Sequence, residues 1–98
     1  MPDRKSNERS LKEALEALVS DYGLRAKLDE QAIRAGWSDV AGEMIARHTV
    51  KIDLRRGKLT VKVDSAPLRQ ELTFMRTTLV ELLNRRFERE VVTEIRID

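Results

Sequence analysis

The spacing of apolar residues changes three times along this 98-residue chain, and that succession constrains the fold more than any single motif. Leu11, Leu15, Leu18 and Tyr22 recur at helical spacing, and so do Leu28, Ile33, Trp37, Val40 and Met44 or Ile45. From Val50 the period falls to two. Val50, Ile52 and Leu54 alternate with Lys51, Asp53 and Arg55, and Leu59, Val61 and Val63 alternate with Thr60 and Lys62. Leu68, Leu72, Met75, Leu79, Leu82 and Leu83 restore the helical period, and Val91, Thr93, Ile95 and Ile97 alternate again. The order is α-α-β-β-α-β. Alternation in every strand leaves one sheet face polar, so the chain is expected to form an α+β two-layer sandwich with a three-stranded mixed sheet. The N-terminal helices and the long third helix should cover its apolar face. A helical crossover places the second and third strands parallel.

Local signals set the boundaries. Residues 1–9 read as a flexible charged arm, and residues 10–98 as a single domain. Ser10 and Glu13 fit a capping box, Gly23 can close the first helix, and Gly42 should bend or break the second. Leu54 and Leu59 must both face inward, so the turn around Arg55-Arg56-Gly57-Lys58 holds an even number of residues. The same register sets Lys51 opposite Lys62 on the solvent face. Ser65 caps the next helix with Pro67 in its first turn, and the pattern reads as one uninterrupted helix to about Arg86.

Composition removes several kinds of chemistry. The chain has no cysteine, which excludes a disulfide framework, a thiolate zinc site and a cysteine nucleophile. His48 is its single histidine, too few for a histidine-based metal site and not set by motif into a triad. Gly23, Gly36, Gly42 and Gly57 are too far apart to cradle a phosphate. No enzyme activity, cofactor or metal is expected. No apolar run approaches a membrane span and the polar start lacks a signal-peptide core, so a cytoplasmic location is expected. Trp37 reads as core, since a base-stacking role would need a more exposed position. Asp29 and Glu30 read as a solvated pair on a polar helix face.

With 19 Lys and Arg against 17 Asp and Glu, any anion-binding surface must come from local clustering. Arg55, Arg56 and Lys58 cluster at the hairpin tip, and Lys51 opposes Lys62. Two readings of the lysine pair stay open: a phosphate backbone relieves their repulsion, or Asp53 and Asp64 already neutralise it. These five cations are the candidate nucleic-acid surface, with no interleaved aromatic, so binding should be electrostatic and indifferent to sequence. Arg85, Arg86 and Arg89 are the second cationic cluster. Phe74 lies roughly 120° from the leucine stripe of its helix. Either the N-terminal helices cover it, or Phe74 and Arg76 form a partner contact.

The run Trp37-x-x-Val40-x-Gly42-x-x-Ile45-Ala46-x-His48-Thr49 leads into the hairpin and its second strand Lys58-Leu59-Thr60-Val61-Lys62-Val63-Asp64-Ser65. Leu68, Glu71-Leu72 and Leu82-Leu83-Asn84 follow. In order and spacing these motifs resemble the DciA family from Ser10 onward. The resemblance implies a KH-like fold and a non-enzymatic role in bacterial DNA replication, binding nucleic acid and assisting loading of the replicative helicase. The chain reads as a short form without the family's flexible extension. A KH domain that grips RNA uses a Gly-x-x-Gly loop between two helices, and the uninterrupted helix expected here replaces it, so KH-style RNA binding is not implied. A general nucleic-acid-binding module and a protein-interaction domain without a helicase partner stay open as alternatives.

Overall fold

A computed structural model describes residues 10–17 and 23–98, so the expected arm at residues 1–9 and the places of Leu18 and Tyr22 lie outside the described residues. Residues 10–17 are helical (α1). They are followed by α2 (Leu24–Ala41), α3 (Glu43–Arg47), β1 (Thr49–Arg55), β2 (Lys58–Val63), α4 (Ala66–Phe74), α5 (Arg76–Phe87) and β3 (Glu94–Ile97). The sheet is three-stranded and mixed, in the order β1-β2-β3, with β1 antiparallel and β3 parallel to β2. Leu54 pairs with Leu59 and Lys51 with Lys62, the register that side-chain parity requires. This is the expected α+β sandwich.

Burial alternates as the sequence does. Ile52, Leu54, Leu59, Val61, Val63 and Ile95 point into a core completed by Ile33, Trp37, Ala41 and Ile45 from α2 and α3, and by Leu72, Leu79 and Leu83 from α4 and α5. Trp37 is buried, and its Nε1 donates to Thr49 Oγ1 at 2.9 Å. The helix breaks at Gly42, whose φ of 95° favours glycine, and α3 restarts beyond it.

Four expectations need correction. The helix after Ser65 is not continuous: α4 ends at Phe74, the cap residue Met75 donates its N–H to Leu72 O at 3.0 Å, and α5 begins at Arg76. The break lets α4 lie on β2 and β3 while α5 reaches β3 and α2. Thr73 Oγ1 also donates back to Arg69 O at 2.8 Å, a bond that bends helices. Second, the described part of the first helix buries no side chain: every residue from 10 to 17 is exposed, with Leu11 at 62% and Leu15 at 52%. Third, the last strand begins only at Glu94. Val91 and Val92 are both buried, because Asn84 Oδ1 accepts their N–H groups and Asn84 Nδ2 donates to Val92 O, each at 2.8 Å. That clamp satisfies backbone groups that burial would otherwise strand.

Fourth, Asp29 and Glu30 are buried, at 8% and 5% exposure. The outer side of β1 is a sheet edge, whose polar backbone groups need partners. Glu30 Oε2 accepts from Leu54 N at 3.4 Å. Arg34 Nη2 donates to Ile52 O at 2.8 Å and to Glu30 Oε1 at 2.7 Å. Asp29 pairs with Arg89 at 2.6 Å, tying α2 to the segment before β3. The acids therefore close an edge and fasten a loop.

Candidate nucleic-acid interface

The β1–β2 turn consists of Arg56 and Gly57, with φ of 50° and 80°. Positive φ at both central residues is the two-residue hairpin geometry that matches strand twist. Gly57 is required twice over. A Cβ there would also stand 2.9 Å from Thr93 Oγ1, because Gly57 O accepts from Thr93 N at 2.7 Å. The turn is thereby packed against the segment entering β3, and Arg55, Arg56 and Lys58 are presented from a fixed base.

Pairing sets the composition of the face opposite the helices. Across it lie Arg55 beside Lys58, Lys58 beside Glu94, Asp53 beside Thr60, Thr60 beside Arg96, and Lys51 beside Lys62. The face thus carries Lys51, Arg55, Lys58, Lys62 and Arg96 against Asp53, Glu94 and Asp98. The structure brings all five predicted cations to one hairpin. It adds Arg96, which sequence reasoning missed because the register of β3 on β2 is set by the crossover. Strand alternation was the signal that could have found it.

The ion pairs decide how much of this charge is uncommitted. Asp53 lies 3.3 Å from Arg55, Glu94 3.8 Å from Lys58, and Asp98 2.9 Å from Arg96. Asp64 is taken by His48, whose Nδ1–H donates to Oδ1 at 2.7 Å. Asp53 and Asp64 thus each contact a group other than the two lysines. Among the described residues, Lys51, Lys62 and Arg56 have no carboxylate partner. Of the second cluster, Arg86 and Arg89 pair with Asp39 at 3.4 Å and Asp29 at 2.6 Å, while Arg85 has no carboxylate partner among the described residues. Gly36 makes room for Arg86, whose Nε would stand 2.8 Å from a Cβ there.

Phe74 is 82% exposed, so the N-terminal helices do not cover it. Arg76 beside it donates from Nε to Thr73 O at 3.1 Å and has no carboxylate partner among the described residues. Both sit at the α4–α5 junction, in the helical layer, away from the basic face. The structure does not bring the two candidate sites together. Among the described residues no cluster of three or more His, Asp and Glu could hold a metal ion, and no helix is long and apolar enough to cross a membrane.

A helical layer on one side and a cation-bearing bare sheet on the other define a small α+β fold. The chain belongs to the family described as "Dna[CI] antecedent, DciA", whose model matches residues 10–97. It is also similar to a UPF0232 protein of Bifidobacterium longum (strain NCC 2705), 31% identical over 65 residues, or 66% of this chain and 42% of that protein. The match therefore spans under half of that relative's length. No solved structure matches the chain significantly.

Proposed function

We propose that this domain is a non-enzymatic DNA-replication adaptor that holds nucleic acid on its open sheet face and assists loading of the replicative helicase. The observation that carries the nucleic-acid part is the Lys51–Lys62 pair, facing across β1 and β2 with its neighbouring acids each in contact with another group. Like charges directly opposite are unfavourable, and a phosphate between them relieves the repulsion. Lys51, Arg55, Arg56, Lys58 and Lys62 form the contact surface, extended by Arg96. Contacts of this kind position a backbone and read no bases, so unrelated sequences should bind alike. The replication role follows from family membership, and a cytoplasmic place of action belongs to the same proposal. No cofactor enters it.

The partner part rests on a different observation. Phe74 exposes a large apolar side chain next to Arg76, a combination suited to a protein contact, and Leu11 and Leu15 expose a second apolar stripe. These residues favour a reading in which the helical side meets a protein while the sheet side meets DNA. Two experiments test the two parts. Arg55→Ala with Arg56→Ala should flatten the salt dependence of single-strand binding by roughly one to one and a half units, at about 0.7 per phosphate contact. Capture of the host's hexameric replicative helicase, with and without DNA, distinguishes the adaptor from a nucleic-acid module with no helicase partner.

A further inference from the structure

A cleft of about 560 Å³ opens along the outer edge of β1, between that strand and α2. Arg34, Trp37, Ser38, Thr49, Val50 and Lys51 line it, and none of its lining residues is acidic. Arg34 is held in place from behind. Its Nη2 group spends both hydrogens on Glu30 Oε1 and Ile52 O, at 2.7 and 2.8 Å. Of the five N–H donors of a guanidinium, the three on Nε and Nη1 have no acceptor among the described residues. The Lys51 ammonium and the Ser38 hydroxyl likewise have no side-chain partner there. The Thr49 hydroxyl is already engaged, donating to Ile45 O at 2.7 Å and accepting from Trp37 Nε1 at 2.9 Å, so it fixes the wall.

The strand itself is altered at this point. The pairing register skips between Thr49 and Lys51, leaving Val50 as a bulge with a 60% exposed apolar side chain. Bulges re-aim side chains and spoil an edge for strand addition. Beyond it, Ile52 O and Leu54 N are already taken by Arg34 and Glu30. An added β-strand is therefore excluded as the occupant. A pre-set guanidinium, an ammonium and a hydroxyl, with no carboxylate lining the cleft, select an anion, and Val50 offers apolar surface beside it. The volume lies within the range of small-ligand pockets.

We infer that this cleft binds one phosphate ester, with Arg34, Lys51 and Ser38 holding the phosphate and Val50 against the attached sugar. The inference rests on the nucleic-acid reading of the sheet face: Lys51 belongs to both surfaces, so a strand crossing between Lys51 and Lys62 turns over the β1 edge and places one nucleotide in the cleft. Arg34 also closes that edge, so the test uses Ser38, which is exposed on α2. Ser38→Glu puts a carboxylate beside the phosphate and should weaken binding of an oligodeoxythymidylate of about 12 nucleotides. The loss should be about tenfold or more, with the helical and thermal signature of the fold unchanged. Lys62→Ala serves as the control on the sheet face alone. If Ser38→Glu binds like wild type while Lys62→Ala is weakened, the cleft proposal falls and the sheet-face reading stands. If neither is weakened, both fall. Amide NMR distinguishes the sources of the ester: shifts at Ser38, Thr49 and Lys51 with the oligonucleotide but not with thymidine monophosphate assign the site to a strand. Shifts with both make it a general phosphate-ester site, and shifts with neither overturn it.

Discussion

Lys51 stands directly opposite Lys62 across the antiparallel β1–β2 ladder, and among the described residues neither has a carboxylate partner. Such a pair costs the fold roughly 0.2–1 kcal/mol. Lys62→Gln should therefore raise stability by an amount in that range, read by urea denaturation, while lowering single-strand affinity. Opposite signs for stability and binding are what a surface kept for a ligand requires. Loss of both would mean that Lys62 supports the strand.

Asn84 bridges the segment ahead of β3 with three hydrogen bonds to Val91 and Val92. Asn84→Ala leaves those buried backbone groups without partners and should cost about 2–4 kcal/mol in urea unfolding. DNA affinity of the folded fraction should not change. A loss below 1 kcal/mol would show that the segment finds other partners.

Glu30 is the hub of the closed β1 edge, meeting Arg34, Lys27 and the Leu54 N–H. Removing one member of a buried ionic group costs about 3–5 kcal/mol. Glu30→Ala should approach that loss, and it should also associate with itself as concentration rises, because the freed edge of β1 can pair with another chain. Sedimentation across a concentration series checks this. A variant that associates no more than wild type would mean that the bulge at Val50 protects the edge by itself.

Phe74→Ser combined with Arg76→Ala removes groups that contribute little to the folded state. Stability should stay within about 0.5 kcal/mol of wild type. The salt dependence of DNA binding should also hold, while capture of the replicative helicase falls. Undiminished capture would move the protein contact to the leucines of α1.

Much of this architecture was legible in the chain. Parity of Leu54 and Leu59 placed Lys51 against Lys62, Gly42 broke its helix, and Ser65 and Pro67 opened α4, because each of these depends on neighbours close in sequence. What escaped depends on distant ones. Asp29 and Glu30 look like solvated acids until the edge of β1 and Arg89 arrive beside them. Leu72 and Leu79 share one helical stripe, and only the diverging contacts of α4 and α5 show that Met75 interrupts it. The hairpin cations Lys51, Arg55, Arg56, Lys58 and Lys62 follow from strand alternation, whereas the place of Arg96 beside Thr60 depends on the crossover that sets β3 on β2.

The most direct test is the salt dependence of single-strand binding by Lys51→Ala, Arg56→Ala and Lys62→Ala combined, three cations with no ion pair among the described residues. With about 0.7 of slope per phosphate contact, the logarithmic plot should flatten by about two units relative to wild type. Affinity should drop equally on unrelated sequences, and the variant should remain folded. A folded triple variant with wild-type affinity and slope would contradict the account and leave the open sheet face without a role in nucleic-acid binding.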